Sequence, residues 1–309
     1  MKKLAATPLR FASLAEAHRV FGLPSPLHPL ISLLNGAGTP APLVGPHHAH
    51  VLSFYKIAYR PKLSGKLPYG QGHYDFDAGG LLFAAPNQVI GGGAEQEASL
   101  CGHYTLLIHP DFLANYPLAK KMRHYGFFTY SANEALHVSE PEKELLLALF
   151  RTMEAELASR LDEFSQDVVI AQLELLLTYA NRFYKRQFLT RKAVHSDLLQ
   201  RLEETLADCF RGEQLLSRGI PTVQYLAQRL HVSPSYLSDM LRTLTGQSAQ
   251  QHIHDKLIEQ AKEQLATTGL SVSEVAYALG FEHPQSFSRF FKTKTALSPL
   301  AYRQSFQLN

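Results

Sequence analysis

The stretch Thr222-Val223-Gln224-Tyr225-Leu226-Ala227-Gln228-Arg229-Leu230-His231-Val232 is written a second time, further along the chain, as Ser271-Val272-Ser273-Glu274-Val275-Ala276-Tyr277-Ala278-Leu279-Gly280-Phe281. Ala227 matches Ala276 and Leu230 matches Leu279. After one inserted residue the match resumes, with Leu237-Ser238 against Phe287-Ser288, Leu241 against Phe291, Arg242 against Lys292 and Thr245 against Thr295. Thr222 and Ser271 stand where a hydroxyl caps a short helix by accepting from a first-turn N–H. Ala227 and Ala276 are small where two helices must approach closely, and Val232 and Phe281 plug the turn that follows. Ser233-Pro234 then opens a second helix, with the hydroxyl at the cap and the proline in the first turn. In the first copy Leu237, Leu241 and Leu244 face inward, leaving Ser235, Ser238, Asp239 and Arg242 outside. In the second copy Phe287, Phe290 and Phe291 face inward, leaving Gln285, Ser288, Arg289 and Lys292 outside.

Between the copies, Ser248 to Ala266 reads as one uninterrupted helix, roughly 28 Å long at the α-helical rise. Successive major-groove faces of a DNA duplex lie roughly 34 Å apart. Two helix pairs held by such a strut suit a reader of double-stranded DNA. Arginine can bind guanine, and glutamine adenine, through paired hydrogen bonds worth about 1–3 kcal/mol of discrimination. Lysine and serine are better suited to phosphates, which position a protein without reading sequence. Arg289 is the first choice for a base contact. Ser235, Asp239 and Gln285 read equally well as solvated surface.

The ordered set of residues goes further than a lone helix-turn-helix. Val232-Ser233-Pro234-Ser235-Tyr236-Leu237-Ser238, Thr245-Gly246, Ser273-Glu274-Val275-Ala276-Tyr277-Ala278-Leu279-Gly280-Phe281, Ser286-Phe287-Ser288-Arg289-Phe290-Phe291-Lys292, and Leu297-Ser298-Pro299 followed by Tyr302-Arg303 resemble the DNA-binding domain of AraC/XylS-type transcription regulators. The resemblance covers about residues 200–306. It implies reading helices near Ser235–Leu244 and Pro284–Thr293, and a partner in the transcription machinery. The family usually has a basic residue where this chain has Asp239. An acid there accepts from cytosine N4 or repels phosphate.

The preceding sequence has a different texture. Val51 to Tyr59 is rich in β-branched and aromatic residues, Leu81-Leu82-Phe83 lies between Gly79-Gly80 and Pro86-Asn87-Gln88, and Tyr104 to Ile108 stops at His109-Pro110. Short strands between Gly and Pro turns suggest a small barrel or sandwich. Leu14 to Phe21 reads as a short helix, Pro141 to Arg160 as a longer one, and Phe164 to Phe188 as a third. The last carries Val169, Leu173, Leu176, Leu177, Ala180 and Tyr184 along one face. The apolar period lapses over Lys185–Ser196, which places a boundary between a domain of residues 1–190 and one of 191–309. The expected fold is α+β: a cupin-like β-barrel followed by helices, then an all-α domain with two helix-turn-helix motifs joined by a long helix. By the family resemblance, the first domain binds a small-molecule effector and dimerises, with the Phe164–Phe188 helix as the candidate contact; packing of that helix on its own domain is the alternative.

His48, His50, His73 and His103 are the candidate effector-pocket residues. His48-Ala49-His50 has the spacing with which metal cupins begin their ligand set, because alternate strand residues share a face. A metal-dependent cupin enzyme fused to a DNA-binding domain is therefore the competing reading. No glutamate lies between His50 and Glu95 to complete such a set, and the expectation is no metal, no cofactor and no enzymatic activity. The rest of the composition narrows the class. The 309 residues carry a formal net charge of +3 at pH 7, which permits nucleic acid without demanding it. The two cysteines, Cys101 and Cys209, form no disulfide framework. No stretch reads as a signal peptide or a membrane span. The expectation is a cytoplasmic homodimer with no membrane contact.

Overall fold

A computed structural model describes residues 8–36, 49–61, 79–90, 104–131, 134–159, 162–190, 192–211, 215 and 219–307. The chain divides into two compact units, Met1–Thr190 and Arg191–Asn309.

The first unit begins with β1 (Leu9–Phe11) and α1 (Leu14–Val20), followed by strands β2 (Ile31–Asn35), β3 (His50–Leu52), β4 (Tyr55–Arg60), β5 (Gly80–Ala84), β6 (Val89–Ile90) and β7 (Tyr104–Ile108). After α2 (Leu118–His124) come the short strand β8 (Leu136–His137) and two long helices, α3 (Glu140–Ala158) and α4 (Ser165–Thr190). The strands form two sheets, one in the order β1-β3-β6 and the other in the order β2-β7-β4-β5-β8. The larger sheet is antiparallel throughout.

Two features depart from the reading of the sequence. The expected closed barrel is not what the described strands form, since neither sheet closes on itself; residues 37–48, 62–78 and 91–103 lie outside the description. The apparent single strand Val51–Tyr59 is two strands in different sheets. Ser53 donates its N–H to the Phe11 carbonyl at 3.0 Å, and Phe54 is fully buried with Phe11, Leu14, Phe21 and Leu52. Burying Phe54 among these residues turns the chain from the small sheet into the large one.

The apolar stripe of α4 is used inside its own unit. Val169, Leu173, Leu176, Leu177, Ala180 and Tyr184 are all buried, with α4 packed on α3 and β8. Arg186 reaches from α4 to the Glu142 carboxylate at 2.6 Å and to the His137 carbonyl at 3.0 Å. Gln187 accepts from His137 N–H at 2.9 Å and donates to the Ala135 carbonyl at 3.2 Å, so the buried amide replaces strand partners that β8 lacks.

The second unit is helical: α5 (Lys192–Cys209), α6 (Val223–Leu230), α7 (Pro234–Thr245), α8 (Ala249–Thr267), α9 (Val272–Ala278), α10 (Pro284–Thr295) and α11 (Pro299–Gln307). The stretch Lys185–Ser196, where the apolar period lapses, is mostly helical, with α4 running to Thr190 and α5 starting at Lys192.

Candidate nucleic-acid interface

The two copies fold alike, down to the bonds in their turns. Thr222 Oγ1 accepts from Tyr225 N–H at 3.1 Å and Ser271 Oγ from Glu274 N–H at 3.2 Å. At the far end of each short helix the same wide turn closes: Val232 N–H donates to the Ala227 carbonyl and Phe281 N–H to the Ala276 carbonyl, both at 3.0 Å. This six-to-one bond satisfies a carbonyl left over at the helix end and needs one left-handed residue. His231 supplies it in the first copy at φ 58 and Gly280 in the second at φ 80. Gly280 has a second reason to lack a side chain, because a Cβ there would stand 2.9 Å from the Leu215 carbonyl oxygen. Ala227 and Ala276 are buried at 1% and 0% exposure, which lets the paired helices cross closely.

The second helix of each pair is then set in place. Ser233 caps α7 by accepting from Tyr236 N–H at 3.2 Å, with Pro234 in the first turn. In α10 Pro284 takes the first turn and His283 makes no side-chain cap bond. Leu237 and Leu241 are fully buried in α7, and Phe287 and Phe291 in α10. Leu244 and Phe290, expected inside, are half-buried. Tyr236 and Met240, not expected inside, are buried. Tyr236 hydroxyl lies 3.4 Å from His195 Nε2 on α5, a pairing no sequence spacing announces. The strut α8 is continuous over 19 residues, roughly 28 Å. Ile253, Leu257, Ala261 and Leu265 on one side of it are buried, and it packs against α7, α9 and α10.

The candidate contact residues fall on the outer face of each second helix, at the three- and four-residue spacings that bring side chains together. They differ in how they are held. Ser235, Ser238 and Asp239 are half-buried and Arg242 is exposed. Arg242 Nη1 donates to Asp239 Oδ1 at 2.8 Å. On α10, Gln285, Arg289 and Lys292 are exposed and Ser288 is half-buried. Among the described residues none of these four side chains makes a hydrogen bond or an ion pair. The first helix thus presents a partly neutralised surface, and the second presents uncommitted donors. The opposite charges of Asp239 and Arg242, three residues apart, were the available signal for that difference.

The histidine candidates belong to the first unit. His50 is 1% exposed in β3, edge-on to Phe21 and Phe11 with ring centroids 5.5 and 6.4 Å away. His48, His73 and His103 lie outside the described residues. Among the described residues no group of three His, Cys, Asp or Glu side chains gathers to hold a metal, and no helix is long and apolar enough to cross a membrane.

Comparison with known proteins bears on the second unit. A family model described as a helix-turn-helix domain matches residues 226–305. Over 84 residues the chain is 36% identical to the uncharacterized HTH-type transcriptional regulator YobQ of Bacillus subtilis (strain 168), covering 27% of this chain and 35% of that protein. Over 78 residues it is 38% identical to the arabinose operon regulatory protein of Escherichia coli (strain K12), covering 25% of this chain and 27% of that protein. The C-terminal domain of the two-component response regulator yesN from Fusobacterium nucleatum is 28% identical, covers 35% of this chain and 98% of that one, and has a TM-score of 0.31. The match spans about a third or less of the length of these curated relatives. The C-terminal region is an AraC-type helix-turn-helix domain.

Proposed function

We propose that the protein is a sequence-specific, effector-responsive transcription regulator that grips double-stranded DNA with α7 and α10. The observation that carries this is the doubled turn geometry on a continuous strut, with uncommitted Gln285, Arg289 and Lys292 facing outward. In this reading Arg289 and Gln285 read bases, Lys292 and Ser288 hold phosphate, and the Asp239–Arg242 pair selects against the wrong site. The first unit, a cupin-like fold by the family resemblance, senses a small molecule and passes its occupancy to the transcription machinery. The contact between two copies uses the side of α4 that its own unit leaves uncovered. Phe164, Val168, Leu175 and Leu189 are 62%, 38%, 45% and 50% exposed, and with Ala171, Thr178, Arg182 and Lys185 they alternate three- and four-residue steps, the spacing of a coiled-coil seam. The protein works as a cytoplasmic homodimer, without cofactor or enzymatic activity of its own. Selection of the full chain on random duplexes tests the reading. A recoverable consensus with salt-sensitive affinity supports it, and uniform binding of all sequences removes it.

A further inference from the structure

The stripe by which α5 buries itself begins with a polar residue. His195, Leu198, Leu202, Leu206 and Cys209 follow one another at three- and four-residue steps and are all buried. This helix packs on α6. Leucine would fill the first position of such a stripe at no polar cost, whereas a buried imidazole has to be bonded. The His195 Nε2 lies 3.4 Å from the Tyr236 hydroxyl on α7. Tyr236 is in the first turn of α7 and is itself buried. Each of the two side chains makes a further interaction within the chain, so the bond joins groups that are held at both ends.

What this bond adds to the packing is direction. Leu237 and Leu241 hold α7 by apolar burial, which follows the area removed from water and has no preferred angle. A hydrogen bond weakens steeply as its geometry departs from the best. With Ser233 accepting from the Tyr236 N–H at 3.2 Å, the first turn of α7 is fixed through its backbone by the cap and through its side chain by α5. Ser235, Ser238 and Asp239 stand on the outer face of the same helix. Its radius with side chains is about 5–6 Å, so a rotation of roughly 20° carries an outer group about 2 Å sideways. That is enough to lose a hydrogen bond to a base. The second copy has no counterpart. Ser286 stands where the first copy has Tyr236 and is exposed, and His283 at the cap makes no side-chain bond. From this asymmetry we infer that His195 is a positioning residue for α7 alone, setting through Tyr236 the rotation at which Ser235, Ser238 and Asp239 meet the duplex. The part of that statement that concerns the duplex rests on the function proposed above; the positioning of α7 does not.

In the full chain, His195→Phe keeps a ring and removes its nitrogens, and Tyr236→Phe removes one oxygen. Both variants are followed by hydrogen exchange of the α7 and α10 amides and by affinity for single-base variants of the selected duplex. Loss of hydroxyl-radical protection in Arg289→Ala locates the half of the site under α10; the remainder lies under α7. Each variant is expected to speed exchange of the Leu237–Leu241 amides about three- to tenfold, the value of one hydrogen bond, with the α10 amides unchanged. Preference for the correct base is expected to fall by about the same factor in the α7 half only. The double variant is expected to lose no more than either single one, because both remove the same bond. His195→Gln, whose amide can reach the same hydroxyl, is expected to restore most of both. If His195→Phe does not fold, Tyr236→Phe makes the same comparison with a single atom removed. Undisturbed exchange and preference in both variants overturn the positioning role. So do additive losses in the double variant, and so does an equal loss in both halves of the site, which would mark the pair as general core. Faster exchange confined to α7 in a chain that selects no duplex keeps the positioning and loses the regulator; a selected duplex with undisturbed α7 does the reverse.

Discussion

Arg242 donates from Nη1 to the Asp239 carboxylate at 2.8 Å, one helical turn back on α7. An exposed pair at this spacing is worth only about 0.3–0.5 kcal/mol to the fold, so it is readily exchanged for a phosphate contact. Its main effect is to offset the guanidinium. Asp239→Ala is therefore expected to leave stability nearly unchanged while raising affinity for non-specific duplex. It should also steepen the dependence of log affinity on log salt by about one, as one further phosphate is engaged. Weaker binding with an unchanged salt slope would show that Asp239 itself contacts the DNA.

Arg289 has no partner of its own on α10 among the described residues and is exposed. Arg289→Ala is expected to cost about 1–3 kcal/mol on the selected duplex and to relax preference at one position. Affinity for unrelated duplexes should change far less. Equal losses on both, measured by fluorescence anisotropy, would make Arg289 a phosphate contact.

Gly246 and Ala296 end α7 and α10 in the same left-handed conformation, at φ 78 and φ 63. Alanine pays a steric penalty there that glycine does not. Ala296→Gly is expected to stabilise the chain by about 0.5–1 kcal/mol, the steric relief exceeding the added freedom of the unfolded chain. A lower melting temperature would contradict this.

Leu175 is at the centre of the exposed seam on α4 and is 45% exposed. Leu175→Glu is expected to leave the unit folded, because the buried stripe lies on the opposite side of the helix, and to shift the chain from dimer to monomer in analytical ultracentrifugation. A variant that stays dimeric removes α4 from the interface.

His254 on the strut meets Phe290 of α10 edge-on, with centroids 5.1 Å apart. Burial, and secondarily the nearby Lys294 ammonium, lower its pKa from the usual 6.5. The folded chain thus takes up this proton less readily than the unfolded chain. The corresponding stability is present above about pH 6.5 and is lost as pH falls below it toward the folded value. Thermal melts of the native chain and of His254→Gln from pH 7.5 to 5.5 should diverge, the native chain losing more; parallel curves would show that His254 is not the group responsible.

The helix pairs were legible because their signals are local. Caps at Thr222, Ser233 and Ser271, the small Ala227 and Ala276, and the turn residues act within a few positions of themselves. Tyr236 was not legible as core because its partner His195 sits on α5, and Phe290, read as core, is half-buried with its ring against His254 and Phe281. The sheet was less legible still. Strand-like text at Val51–Tyr59 shows extended backbone but not the change of sheet at Ser53, which depends on where Phe11 and Phe54 meet.

By itself the sequence determined the repeated helix-turn-helix and its long connecting helix, since helical geometry turns spacing directly into faces. Only the tertiary structure decided which side of α4 is consumed inside its unit and that the described strands make two open sheets. Those outcomes depend on strand register and on contacts between distant segments, where a shift of one residue reverses the face and no local pattern records the choice.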